Sequence, residues 1–153
     1  TIIYLTIYLV MNLGAFACIF MMKRESVFYE NIKDLSGLSK NHPALALSFL
    51  IILFSLAGIP PLAGFFAKFY VFMAVIEANM YALAIIGLVT TVVSAFYYLR
   101  IIKIIYFDKP NKPFDENYDW GLKSSLILSS ILILTYFIYP SILTNVVYSI
   151  IIY

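Results

Sequence analysis

The sequence predicts an all-α, polytopic membrane protein with four transmembrane helices, the second of which is broken. Hydrophobic residues make up 63% of the 153 residues and charged residues only 12%, a balance far from that of soluble globular domains. Long stretches without charge alternate with charged segments, and these stretches have the length of bilayer crossings. Glycine and proline interrupt one of them. Together these observations define a single membrane module, residues 1–153.

The first predicted transmembrane helix is residues 1–22, which carry no charged residue. As a helix they would be about 33 Å long, enough to cross the hydrocarbon core. Small or polar residues on this segment favour close helix packing; they are Asn12, Gly14, Ala15 and Ala17. The only cysteine, Cys18, excludes an intrachain disulfide, and we interpret it as a small buried hydrophobic residue.

The first basic loop is residues 23–43, where charges of both signs gather. This composition predicts a solvated loop with a short helix on the membrane surface. His42 precedes Pro43 at the junction with the next apolar run. We expect it to be an exposed interfacial histidine.

The second predicted helix, residues 44–76, is too long for one straight crossing. It would be about 50 Å long, against a hydrocarbon core of about 30 Å. Two half-helices, 44–57 and roughly 65–76, fit if the Gly-Ile-Pro-Pro sequence 58–61 separates them. Proline has no backbone N–H and also disfavours a helical residue before it. The alternative is a continuous helix with a simple proline kink.

Lys68 is the only ionisable residue in the middle of an apolar segment. It lies nine residues before Glu77, hence about 13 Å from the predicted boundary. A lysine facing lipid there costs at least about 2.5–3.5 kcal/mol, so we expect it to face the protein interior or a wet path. Burial favours the neutral amine, so that proton uptake and release both become accessible. This pattern predicts a proton relay.

The break beside Lys68 is expected to line the same pathway. Irregular backbone at membrane depth is tolerated where it is buried in protein or lines a cavity, and interrupted helices often mark transport sites. The residues concerned are Gly58, Pro60, Pro61 and Gly64. In the alternative, Lys68 is permanently paired with a carboxylate. That carboxylate would have to come from another subunit, because this chain has none at the same depth.

The third predicted helix is residues 78–99, with Arg100 and Lys103 closing it at the interface. A second basic loop, residues 100–120, contains Pro110 and Pro113.

The fourth predicted helix, residues 121–139, ends before Pro140. The tail 141–153 is expected to lie along the far surface or to pack on a partner.

The two basic segments predict the orientation. Nine of the ten lysines and arginines lie in residues 23–42 and 100–123, and four crossings place both segments on one face. The positive-inside rule assigns that face to the cytoplasm or the mitochondrial matrix, with both termini on the other side.

The sequence lacks the motifs that are typical of several functional classes. The sequence has no Cys/His metal motif, no glycine-rich phosphate loop and no nucleophile with an adjacent base. Its basic segments alternate with acidic residues, which indicates membrane flanks and not a surface for nucleic acid.

Three stretches carry a family resemblance. They are YLVMNLGAFA (8–17), LSGLSKNHPALALSFLIILFSLAGIPPLAGFFAKFYVF (35–72) and IGLVTTVVSAFYYLRIIKIIYFDKP (86–110). The sequence resembles the antiporter-like membrane subunits of respiratory complex I. It is most similar to the C-terminal part of subunit 2 in its mitochondrial form; the bacterial counterpart is called subunit N. The plastid homologue has the next strongest resemblance.

The resemblance implies a fold and a set of partners. Members of this family have fourteen crossings built on two inverted five-helix repeats, and this chain would supply the last four. The lysine of their broken twelfth helix corresponds to Lys68, whereas the ionisable residues of earlier helices have no counterpart here. We therefore expect a companion chain carrying the N-terminal helices of subunit 2, and favour a split gene over a fragment. Other expected partners are the remaining membrane-arm subunits and the lipid bilayer.

The function implied is that of a non-redox, proton-translocating subunit of NADH:ubiquinone oxidoreductase in the mitochondrial inner membrane. Its termini would face the intermembrane space and its basic loops the matrix; a bacterial or plastid energy-transducing membrane is the alternative. NADH, FMN, iron–sulfur clusters and quinone would bind elsewhere in the complex. Two other functions stay open: a subunit of a multisubunit cation/H⁺ antiporter, and a structural packing module without a working proton path.

Overall fold

The computed structural model describes residues 2–25, 27–115 and 119–138, and is mostly helical. Its elements, in chain order, are α1 (Ile2–Phe20), β1 (Lys23–Arg24), β2 (Val27–Phe28), a 3₁₀ helix (Ile32–Leu35), α2 (Leu38–Asn41), α3 (Pro43–Ala57), α4 (Ala63–Glu77), α5 (Tyr81–Phe107) and α6 (Trp120–Ile138). The predicted tail, 141–153, lies outside the described residues.

Helix α1 packs against α3, α4 and α6. A side chain at Gly14 would place its Cβ 2.8 Å from Ile52 Cδ1 and 2.9 Å from Ser129 Cβ. Only a glycine therefore allows α1 to approach α3 and α6 this closely. Ala17 and Cys18 are also buried, so the small residues of α1 lie at helix contacts, as their type predicts.

Helices α3 and α4 occupy the segment in which the sequence predicts a break. α3 begins at Pro43, where the fixed φ of proline suits the first helical position. Each helix has 15 residues, or about 22 Å, so neither alone spans a core of about 30 Å. Residues 58–62 between them are not helical.

Helix α5 is longer than the sequence predicts. It continues past Leu99 to Phe107, so Arg100 and Lys103 lie within the helix and not in a loop. The reason is that Ile102 and Ile105 are buried on one side of the helix, while Lys103 points outward and pairs with Asp108 at 2.9 Å. Charged residues on the exposed side of a helix do not end it.

The two basic segments lie together. The Asp115 N–H donates to the Lys23 carbonyl at 2.7 Å, and the Asn111 N–H donates to the Ser36 carbonyl at 3.1 Å. The first of these segments contains the antiparallel β1–β2 pair, the 3₁₀ helix and α2. It therefore has more regular structure than the loop with a single short helix that its composition predicts.

The prediction of an exposed His42 is wrong. His42 is 9% exposed, and its Nε2 accepts a hydrogen bond of 2.9 Å from the Phe114 N–H. The loop after α5 folds back over the start of α3, a contact between residues distant in sequence that the local pattern does not reveal.

Two of the described helices, α1 and α5, are long and apolar enough to cross a membrane. Helix α3 and residues 120–136 of α6 are apolar but shorter. The arrangement of four crossings stays a prediction.

Candidate functional site

The candidate site is built around the end of α3. Gly58 has φ +83°, a conformation that glycine adopts without steric cost. Its N–H donates to the Ser55 carbonyl and the Ile59 N–H donates to the Phe54 carbonyl, both at 3.0 Å. These two bonds form a Schellman motif, which ends a helix and redirects the chain.

Two prolines leave the last carbonyls of α3 without their usual partners. A helix would satisfy the Leu56 and Ala57 carbonyls with N–H groups four residues later. Those positions are Pro60 and Pro61, which have no N–H. Lys68 Nζ donates to the Leu56 carbonyl at 2.9 Å. The lysine thus replaces a donor that Pro60 cannot provide.

Helix α4 begins in direct contact with α3. The Gly64 N–H donates to Ser55 Oγ at 3.0 Å. The Ser55 hydroxyl in turn donates to Met11 Sδ, also at 3.0 Å. A Cβ at Gly64 would lie 2.7 Å from the Ser55 carbonyl carbon, so only glycine allows the two helix ends to meet.

A cavity of about 250 Å³ lies beside Lys68, between α1, α4, α5 and the end of α3. This volume is large enough for several water molecules. Besides Lys68, its walls carry six hydroxyl-bearing side chains: Tyr4, Tyr8, Thr90, Thr91, Ser94 and Tyr98.

The hydroxyl oxygens of α5 can accept hydrogen bonds from groups in the cavity. Thr90 and Thr91 donate to the Gly87 carbonyl at 2.9 and 2.8 Å, and Ser94 donates to the Thr90 carbonyl at 2.9 Å. A hydroxyl has one donor and two acceptor lone pairs. Since each proton is used within the helix, these oxygens can accept from water or from an ammonium group in the cavity.

The structure brings three of the five predicted site residues together. Lys68 is half-buried, and it lines the cavity with Gly64. Gly58 lies against the lysine side chain, because a Cβ there would be 3.2 Å from Lys68 Cδ. Pro60 and Pro61 are exposed. Their effect on the site is that they provide no backbone N–H to the carbonyls at the end of α3.

The sequence does not identify Ser55 or the hydroxyl-bearing residues of α1 and α5 as part of the site. A signal was present for some of them. Tyr4 and Tyr8 are four residues apart, as are Thr90 and Ser94, so each pair lies on one helix face. Only the packing of α1 and α5 around α4 shows that these faces meet at Lys68.

The described residues, 2–25, 27–115 and 119–138, contain no group of three or more His, Cys, Asp or Glu side chains able to hold a metal ion. Within the same ranges, the hydrogen-bond partner of Lys68 is a backbone carbonyl and not a carboxylate. Glu77, at the last position of α4, is exposed.

Residues 1–94, which include the whole helix break and Lys68, match the family described as NADH:quinone oxidoreductase/Mrp antiporter, transmembrane. The chain belongs to this family. The resemblance predicted from the sequence is thereby confirmed at the level of this family of antiporter-like membrane subunits.

The relatives described here are bacterial proteins. The NADH-quinone oxidoreductase subunit N of Pelagibacter ubique is 63% identical over 147 residues, covering 96% of this chain and 31% of the relative. That of Parvibaculum lavamentivorans is 53% identical over 140 residues, covering 92% and 29%. The chain therefore spans about a third of the length of these relatives.

A solved structure supports the fold. A chain of the respiratory complex I from Thermus thermophilus with bound aureothin is similar with a TM-score of 0.79 and 29% sequence identity. The match covers 93% of this chain and 33% of the other. The mitochondrial form and the C-terminal position of the piece stay predictions.

Proposed function

We propose that this chain is a non-redox membrane-arm subunit of an NADH:quinone oxidoreductase of the complex I type, in which Lys68 relays protons. The bacterial relatives carry the name of such a subunit. The observation that carries the relay is the position of Lys68: its Nζ is 2.9 Å from the Leu56 carbonyl at a helix break, on the wall of a hydroxyl-lined cavity.

The hydrogen bonding of Lys68 suits a group that gains and loses a proton. A lysine ammonium has three N–H donors and no acceptor. One donor goes to the Leu56 carbonyl, so the others are available to the cavity. Loss of one proton converts a donor into a lone pair, while the bond to Leu56 keeps the amine in place. The same nitrogen can therefore release a proton and accept the next one without leaving its position.

Replacing Lys68 with methionine tests this proposal. The variant K68M keeps the aliphatic stem and removes the amine, so we expect fewer protons translocated per NADH oxidised in the assembled complex. The control is K103M, because Lys103 lies on α5, away from the break, is 65% exposed and pairs with Asp108 at the end of its own helix. An unchanged ratio in K68M would reject the relay and leave a structural packing role.

A second candidate is a subunit of a multisubunit cation/H⁺ antiporter, which the family description also includes. The break and the lysine fit this function equally well. Purification of the assembled protein separates the two candidates. Flavin and iron–sulfur subunits in the purified complex support the first, and their absence from an intact cation-transporting complex supports the second.

The proposal includes partners that complete the subunit. A companion chain would carry the helices found in the remaining two thirds of the relatives' length, beside the other membrane-arm subunits. Mass spectrometry of the purified complex tests this: one polypeptide containing both portions would contradict a split subunit. NADH, FMN, iron–sulfur clusters and quinone are proposed to bind to other subunits.

The proposed location is an energy-transducing membrane, the mitochondrial inner membrane by the sequence resemblance, with bacterial and plastid membranes as alternatives. The basic segments 23–42 and 100–123 would face the matrix or cytoplasm. Labelling of a cysteine introduced at the exposed Lys112 from one side of sealed vesicles tests this orientation; labelling only from the opposite side would contradict it.

A further inference from the structure

We infer that Ser55 is a positioning residue for Lys68: its hydroxyl joins the end of α3 to the start of α4 and thereby sets the lysine against the Leu56 carbonyl. This inference rests on the proposed function of Lys68. It concerns a residue that does not bond to the lysine itself but bonds to Met11 and Gly64, which line the same cavity.

Ser55 is completely buried, and its hydroxyl is used in two directions. The proton goes to Met11 Sδ on α1, and the oxygen accepts the Gly64 N–H on α4, each at 3.0 Å. A buried hydroxyl can lose its bonds to water only if such partners replace them. The side chain therefore connects three helices at one point.

Ser55 serves both ends of the break. Its backbone carbonyl accepts the Gly58 N–H, which closes α3. Its hydroxyl accepts the N–H of Gly64 in the first turn of α4, where the residue at the N-cap, Leu62, makes no side-chain capping bond. A serine or threonine oxygen normally caps its own helix. Here the cap comes from the preceding helix, so the start of α4 is fixed relative to the end of α3.

This cap determines where Lys68 lies. Gly64 and Lys68 are four residues apart and share one face of α4. Ser55 and Leu56 are consecutive at the end of α3. The bond from Gly64 to Ser55 and the bond from Lys68 to Leu56 are thus two neighbouring links between the same helix ends. Loss of the first leaves α4 free to shift, and the lysine moves with it.

The test compares S55A with S48A in the assembled complex. Both variants remove a hydroxyl from α3, but Ser48 donates only to the Ala44 carbonyl of its own helix. We expect S55A to reduce the protons translocated per NADH by as much as K68M does or by less, since S55A displaces the amine and K68M removes it. S48A is expected to leave the ratio unchanged.

A second measurement separates positioning from general stability. Each serine variant is repeated in the K68M background, and the melting temperature of every complex is recorded. If Ser55 acts through Lys68, S55A lowers the ratio only when the lysine is present, because coupled residues are not additive. An equal loss in both backgrounds would overturn the inference and make Ser55 merely structural.

The outcomes also distinguish this inference from the proposed function. If K68M leaves the ratio unchanged, the relay itself fails. If K68M lowers it but S55A does not, only the role of Ser55 fails. Should S55A prevent assembly, S55C replaces it, because a thiol is a weaker acceptor of similar shape. Comparing S55C with and without the K68M substitution then shows whether Ser55 acts through Lys68.

Discussion

Helix α5 and the α3–α4 pair provide hydrogen-bond partners for their polar groups in opposite ways. Both consist mainly of apolar residues and contain polar groups that need hydrogen-bond partners. In α5, which is uninterrupted over 27 residues, Thr90 and Thr91 bond to the Gly87 carbonyl of their own helix. Between α3 and α4, the Leu56 carbonyl and the Gly64 N–H are bonded to side chains of the other helix.

The difference shows how a helix break can hold an ionisable group. Where hydrogen bonds are local, a polar side chain can be lost without moving anything else. Where they cross a break, each side chain also determines the position of the neighbouring helix. Lys68 has a fixed place because Pro60 leaves a carbonyl that needs a donor. The following predictions test this contrast, from the largest expected effect to the smallest.

The contact between the helix ends is expected to be least tolerant of change. In G64A the new Cβ would overlap the Ser55 carbonyl, so we expect destabilisation of about 3 kcal/mol or more, as in severe overpacking. The measurements are the amount of assembled complex and its melting temperature. G121A is the control, because a Cβ at Gly121 meets nothing within 4 Å. Similar results for both variants would contradict the close contact.

Replacing Pro60, which has no backbone N–H, is expected to change proton translocation to an intermediate extent. P60A restores an N–H four residues after Leu56, and this N–H competes with Lys68 for the carbonyl once α3 extends by one turn past Gly58. We expect a lower ratio of protons to NADH than in the unchanged protein, but a higher one than in K68M. Loss of proline rigidity also destabilises by about 0.4–1 kcal/mol, and P113A at an exposed proline controls for that. Equal ratios in P60A and P113A would show that the freed carbonyl has no role.

The local bonds of α5 are expected to matter least. T91V removes a hydroxyl that donates to Gly87, but that carbonyl keeps the backbone N–H of the same helix. We therefore expect a change in unfolding free energy within about 0.5 kcal/mol, measured as a shift in melting temperature. A decrease in unfolding free energy as large as that of G64A would contradict this. It would mean that side-chain hydrogen bonds stabilise α5 as much as they stabilise the helix break.

The helix break and Lys68 could be predicted because their causes are local. Proline lacks an N–H wherever it occurs, and a single lysine in an apolar run is visible without a structure. The sequence predicts the end of α5 too early, because Arg100 and Lys103 have the charge typical of residues at a membrane boundary. The sequence has a contrary signal in the apolar residues Ile102 and Ile105, which are buried in the last turns of α5 before it ends at Phe107.

Other features could not be predicted because they depend on tertiary packing. Ser55 is one polar residue in an apolar helix, and nothing beside it indicates that its oxygen caps α4. His42 is buried by Phe114, which is 72 residues away in the sequence. The cavity wall combines Tyr4 and Tyr98 from helices that approach only in the folded chain.

The most direct test of the central claim is the variant K68R in the assembled complex. Arginine keeps the positive charge and can donate to the Leu56 carbonyl, but it does not lose its proton in proteins. If Lys68 relays protons, K68R translocates no more protons per NADH than K68M. If K68R pumps as well as the unchanged protein, the lysine serves only as a fixed charge, and the relay is contradicted.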